Sequence, residues 1–307
     1  EEAEPFLDRA LQSYESRGNA AGKAKTPSIQ AVLNRRRGQL GRTANLSKQA
    51  LQDCGRSGST ENQARCLEYM AGIAEECAYF QQDYVDCSST TRDERSSRIR
   101  TKGAVTFMRQ TAQLLRAYGM QDKAEQLGEQ SLAIARGMQN RRWEASALED
   151  LAHVFQDRGQ YDRAFVRYLK AMTLREHLND TAEQVQLMNK LGRVLLVQGK
   201  NEEAKSFHEK ALDFARAHAD QNGEAVSLGG LGSVYQATGD YAKAEECDEK
   251  ALAIFRKTNN VLGESYTLDH LGNTHFNNGQ YAKAAECYEQ SLAIRRNIGY
   301  RKGEPLS

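Results

Sequence analysis

The sequence predicts an all-α protein, a right-handed α-solenoid of about seven and a half antiparallel helical hairpins, on three observations. Glycines stand at 119, 159, 199, 239 and 279, each forty residues from the next. Twelve residues after each glycine comes a fixed pair: Ser131-Leu132, Ala171-Met172, Ala211-Leu212, Ala251-Leu252 and Ser291-Leu292. The chain is also free of proline between Pro27 and Pro305. Proline removes a helix hydrogen bond and clashes with the preceding turn, so its absence suits a near-continuous run of helices.

Each forty-residue unit reads as two helices. The first carries apolar residues at spacings of three and four, as in Leu228, Leu231 and Tyr235, and again in Leu268, Leu271 and His275. That is the period of a helix with one buried face. The second carries Ala124, Ala164, Ala204, Ala244 or Ala284, followed seven residues on by the Ser or Ala of the fixed pair. Two small residues a heptad apart allow close helix approach, so each unit is an antiparallel hairpin. Upstream, Ala10-Leu11 and Ala50-Leu51 continue the marks, with Gly38 before Ala50-Leu51 at the usual distance. Residues 1–101 are therefore expected to be divergent repeats and 102–307 regular ones, in one continuous solenoid. Within 79–102 the register slips: Asp83-Tyr84 arrives three residues late and no Ala-Leu mark follows. A decayed repeat is expected there, with a contact-making or regulatory insertion as the alternative. Glu1-Glu2-Ala3 aligns with Glu202-Glu203-Ala204, and Gly303-Glu304 opens a further first helix, so the array is expected to continue or to need partners at its ends.

Composition excludes more than it assigns. Lys and Arg number 42 against 41 Asp and Glu, a net charge of +1, which gives no overall attraction to nucleic acid or an anionic membrane. Mean hydropathy is -0.72 and apolar runs are short, so no membrane insertion is expected. Cys54 with Cys66, and Cys77 with Cys87, flank interhelical turns, a placement that suits either disulfides in an oxidising organelle or reduced half-buried thiols. The second reading, and with it a cytoplasmic location, is preferred. Cys247 and Cys287 share one repeat site and need no redox role.

The run Gly-x-Tyr-x-x-Ala-x-x-x-Tyr-x-x-Ser/Ala-Leu, following Leu-Gly-x-x-Tyr/His, resembles the tetratricopeptide repeat (TPR). The forty-residue period, Leu271-Gly272-Asn273 and the Gly-Glu pairs at 223, 263 and 303 resemble the longer repeats of LGN/Pins-type adaptors. Ala112 and Ala152 depart from the Leu-Gly pattern, and no GoLoco-type element is recognisable, so that subclass's G-protein partnership does not carry over.

The resemblance implies a protein-binding scaffold whose concave surface is lined by the first helices. On the side opposite the apolar stripe fall Arg109, Gln113 and Arg116; Glu149, His153 and Gln156; Asn189 and Arg193; Ser233 and Gln236; Asp269, Asn273 and Asn277, with Arg65, Glu68 and Glu75 extending the row. The arginines from 109 to 193 suit an acidic peptide, with Asn189 and Asn273 holding its backbone. No catalytic residue, metal site or cofactor is expected: the histidines never pair at a helical zinc spacing, and His275 takes the aromatic core site of Phe155 and Tyr235. The alternatives are a structural subunit that binds by its outer faces, or the sensor arm of a longer signalling protein.

Overall fold

The computed structural model describes most of residues 105–117 and all of 119–298. The readings made on residues 1–104, including the slipped register, both cysteine pairs and Arg65, Glu68 and Glu75, lie outside these residues. Among the described residues the chain is helical throughout, without strands: α1 Gln121–Gly137, α2 Arg141–Asp157, α3 Tyr161–His177, α4 Thr181–Val197, α5 Asn201–Ala217, α6 Gln221–Ala237, α7 Tyr241–Lys257, α8 Val261–Asn277 and α9 Tyr281–Asn297. Three residues join each to the next, too few for anything but a reversal between antiparallel neighbours.

Two kinds of reversal alternate. Where a first helix turns into its second, glycine takes a left-handed φ, from 71° at Gly159 to 80° at Gly239. Where a second helix turns into the next first helix, the left-handed residue is Gln139, Asn179, Ala219 or Asn259, with φ of 51° to 55°. Asp220 and Asn260 then cap α6 and α8, each accepting from a backbone N–H at 2.9 Å, that of Gly223 or Gly263. Such caps satisfy one of the amides that a helix start leaves orphaned.

The chain divides into two compact units after Val154. In the first, Val105, Met108, Ala112 and Leu115 are buried with Ala124, Leu127, Leu132, Leu148 and Leu151. A Cβ on Gly128 would stand 2.7 Å from Leu151 Cδ2, so the glycine lets that leucine pack close to the helix. In the second unit the core is a series of clusters, each spanning more than one helix. Val185, Met188, Ala211 and Ala215 form one cluster; Leu212, Ala225, Leu228, Leu231, Ala251 and Phe255 the next; Leu252, Leu268 and Leu271 another. The small-residue sites behave as the spacing predicted: Ala124, Ala164, Ala204 and Ala244 are wholly buried and Ala284 nearly so. Ser131, Ala171, Ala211, Ala251 and Ser291 are no more than 1% exposed.

An ion pair repeats with the fold. Arg136, Arg216 and Arg256, each at the end of a second helix, reach Glu144, Glu224 and Glu264 across the turn, every one at 2.8 Å. In the α3–α4 turn those positions hold Glu176 and Gln184, and Arg175 pairs instead with Asp180 at 3.1 Å.

Candidate functional site

The first helices α4, α6 and α8 each carry a row of exposed and half-buried residues spaced by three and four. The row holds Gln186, Lys190, Arg193 and Val197 on α4; Val226, Gly229, Ser233 and Ala237 on α6; Tyr266, Asp269, Asn273 and Phe276 on α8. The α6 row is made of small residues, and a Cβ on Gly229 would meet nothing within 4 Å. On either side stand larger groups: Arg193, exposed and without an ion-pair partner among the described residues, and Tyr266, 51% exposed. Val226 is 47% exposed on the same face. Arg295 of α9 lies over the Tyr266 ring, 5.2 Å from its centroid, and pairs with Asp269.

Several residues that the sequence assigned to a partner are spent on neighbouring repeats. In the first unit Asp150 of α2 accepts from Arg109 Nε at 2.5 Å and from Gln113 Nε2 at 2.8 Å, so both are braces between successive first helices. Glu149 is buried there, at 7% exposure, while Arg116 and His153 are half-buried and engaged in interactions of their own. In the second unit Asn189 is also buried, at 7%, and cannot reach a peptide backbone. Its Nδ2 donates to Val185 O at 3.1 Å and to Ser227 Oγ at 2.9 Å, and its Oδ1 lies 2.8 Å from His208 Nδ1. Gln236 Nε2 donates to Thr274 Oγ1 at 3.3 Å, and Asn273 Oδ1 accepts from Tyr288 at 2.7 Å. Asn277 is exposed at the end of α8. Half-buried Gln156, at the C-terminal end of α2, accepts from Tyr168 at 3.1 Å.

Beneath this face lies a column of second-helix residues that helical periodicity alone did not single out: Tyr168, His208, Asp248 and Tyr288, forty residues apart. Three of them face the glycine of a Leu-Gly pair. Built Cβ atoms on Gly192, Gly232 and Gly272 would lie 2.6 Å from His208 Nε2, 2.5 Å from Asp248 Oδ1 and 2.6 Å from Tyr288 Cε1. His208 is wedged further against Gly230, whose Cβ would come within 2.3 Å of Nδ1. Burial, with Arg193 nearby, holds its pKa down to about 4. Asp248 is fully buried, and neither carboxylate oxygen accepts a hydrogen bond among the described residues. His270 of α8 stands beside it, Nδ1 3.5 Å from Oδ2, and turns Nε2 to Ser233 Oγ at 3.2 Å. Burial pushes the Asp248 carboxyl up, an effect that His270 offsets in part; its interaction with Asp248 raises His270 against burial's pull down.

Ser233, His270 and Asp248 have the spatial order of a nucleophile relay. Here, however, Ser233 Oγ donates to Gly229 O at 3.0 Å, and the α6 amides around it lie within the helix. Among the described residues no group of three or more metal-ligating side chains converges, and no helix is long and apolar enough to cross a membrane.

The repeated hairpins, their buried small residues and the left-handed glycine turns have a counterpart among known families: residues 143–217 and 223–297 match the Tetratricopeptide repeat. This part of the chain belongs to the TPR family. Solved structures agree on the fold. The TPR array is similar to BtubC (BKLC) from P. vanneervenii, at 21% identity over 78% of this chain and 95% of that one, with a TM-score of 0.58. It is also similar to a putative kinesin light chain of nearly identical TPR-like repeats from Podosopora anserina, at 20% identity over 64% and 96% of the two chains, TM-score 0.51. Aspartyl phosphate phosphatase F from Bacillus subtilis matches at 16% identity over 90% and 75%, TM-score 0.58. No curated protein sequence matches the chain. TPR domains typically serve protein–protein interaction.

Proposed function

We propose that the protein is a non-enzymatic scaffold that holds a partner protein segment against the first-helix face of α4, α6 and α8. The observation that carries this reading is the uneven face itself. A floor of Gly229, Ser233 and Ala237 lies between Arg193 and the exposed Tyr266, and Val226 adds apolar surface where a solvated helix would place a polar residue. Arg193 is left to a partner carboxylate, since no acidic side chain among the described residues takes it. The segment is therefore acidic at one point and apolar near it. Arg109, being paired to Asp150, is not proposed as a contact. The Gly-Glu pairs behind the likeness to LGN/Pins-type repeats serve folding instead: Gly223 and Gly263 receive caps, and Glu224 and Glu264 bridge turns. They carry no information about a partner.

Selection of displayed random peptides on the whole chain tests the reading. Binders enriched in carboxylates are expected, lost at least tenfold with Arg193→Glu or Tyr266→Ala and kept with Glu209→Ala or Glu249→Ala on second helices. One observation favours the structural-subunit alternative. The outward face of α3 exposes Val166 at 49% and Leu169 at 46%, whereas the other second helices carry Glu129, Glu209, Glu249 or Glu289 at the latter site. Binding that survives Arg193→Glu but is lost with Leu169→Glu would move the site to that outer face.

A further inference from the structure

Asp248 is the least expected side chain in the described structure. A carboxylate with no exposure and no hydrogen bond is tolerated in a packed interior only if it is neutral or if a cation stands against it. The only cationic group the cluster provides is His270, and it comes from the next hairpin. Asp248 belongs to α7, Ser233 to α6, and His270 to α8, so the contact crosses a repeat boundary. In the column's other places the slot is filled differently. Tyr168 fills it with an uncharged ring, and His208 fills it with an imidazole that faces Gly230, the residue in register with His270. The chain thus places one imidazole at each of two successive junctions, once from the second helix and once from the following first helix.

We propose that the α8–α9 hairpin is fastened to the α6–α7 hairpin by the charge of protonated His270 against buried Asp248, so that this junction loosens as pH rises above neutral. Losing the proton leaves a buried carboxylate against a ring that keeps one N–H but no charge, and parting α8 from α7 would admit the water that solvates the carboxylate. The sign follows from both groups. A histidine raised by its partner contributes stability that is fully present below its unfolded pKa and is lost as pH rises through the folded one. A carboxyl raised by burial resists ionisation in the fold, and so pushes in the same direction.

The remaining charges around the pair are already engaged or distant from its proton. Asp269, beside His270 on α8, is held by Arg295 of α9. Glu245 of α7 lies 3.9 Å from both His275 of α8 and Lys283 of α9. Tyr288 of α9 donates to Asn273. From α6 the junction receives only the uncharged Ser233 and Gln236. Asp248, with no exposure, is therefore the buried acid at this boundary and His270 the imidazole against it, whereas Glu245 is 28% exposed and shared between His275 and Lys283. The proposal does not depend on what the first-helix face binds.

Hydrogen exchange of the whole chain, corrected for the intrinsic pH dependence of exchange, reads the junction directly. Protection of α8 and α9 amides is expected to fall at least tenfold between pH 6 and pH 9, with α4 and α5 unchanged across that range. Asp248→Asn removes the buried acid that His270 faces and should abolish the pH dependence. The triple change Gly229→Asn, Asp248→His, His270→Gly grafts the His208 arrangement onto this junction, with Thr267 standing where Ser227 stands. It should reverse the direction, so that α8 and α9 lose protection on acidification instead. Wild-type protection that is flat or rises with pH overturns the proposal. So does a pH dependence that persists in Asp248→Asn, a conservative change that needs no repacking.

Discussion

His208 and Asp248 occupy the same place in successive repeats, yet the two junctions are built on opposite electrostatic terms. At the first, a neutral imidazole is packed between Gly192 and Gly230 and held by Asn189, which also binds Ser227 of the following first helix. At the second, a buried acid faces an imidazole from the next hairpin, with Gly229 where Asn189 would be and no comparable amide bridge. The shared helical frame, Leu-Gly pair and small residues leave the forty-residue geometry unchanged. What differs is which protonation state each junction prefers, so a repeat array can carry local pH responses of opposite sign inside one architecture.

The largest expected difference comes from the amide bridge. Asn189→Ala removes the partners of His208 Nδ1 and of Ser227 Oγ in a buried setting, and should cost about 2–4 kcal/mol. The register-equivalent Gly229→Ala introduces a Cβ that meets nothing, and should instead stabilise α6 by about 0.5–1 kcal/mol through helix propensity. Local unfolding free energies from hydrogen exchange of α4–α7 distinguish the two. Equal effects would mean that Asn189 is not the brace that its three contacts describe.

Acid comes next. His208 has a folded pKa of about 4 against 6.5 for the free side chain, so the unfolded chain takes up its proton first. The stability of this junction is full above 6.5 and declines as pH falls toward 4, by about 2 kcal/mol at pH 5. His208→Gln, which keeps a side-chain hydrogen-bonding group and does not titrate, should flatten that decline. If α4–α6 protection is insensitive between pH 7 and 5, the imidazole is not held neutral by its slot.

The sequence made part of this legible and concealed the rest for a definable reason. The left-handed glycines, the buried column from Ala124 to Ala284 and the core role of His275, which is 6% exposed, all follow from the register of a single hairpin. Arg109, Gln113, Glu149 and Asn189 look like a polar groove on a helical wheel because the wheel contains one helix. In the structure, the following first helix supplies Asp150 and Ser227, and the interval between partners, 37 to 41 residues, is a contact between repeats rather than within one. His208 and Asp248 would have stood out from a reading down the column Tyr168, His208, Asp248, Tyr288. A buried acid in a tyrosine's place is a chemical change that apolar periodicity does not register.

The smallest effect sharpens the comparison at the turns that lead into each junction's first helix. Ala219 precedes α6 with φ 55°, and Asn259 precedes α8 with φ 53°. A left-handed conformation crowds an L-residue's Cβ against the following carbonyl, and asparagine tolerates it better than alanine because its short polar side chain bonds locally. Both turns also need the conformation, since the next residue, Asp220 or Asn260, caps the helix through its side chain. Ala219→Gly is therefore expected to stabilise the α5–α6 turn by about 1 kcal/mol, somewhat less than the full relief because glycine also frees the unfolded chain. Asn259→Gly should change the α7–α8 turn by no more than about 0.3 kcal/mol. Thermal unfolding of the two variants gives the ranking. An equal gain at both sites would place the strain in the shared backbone of the turn rather than in the alanine, and the His208 junction would then lose its one conformational disadvantage relative to the other.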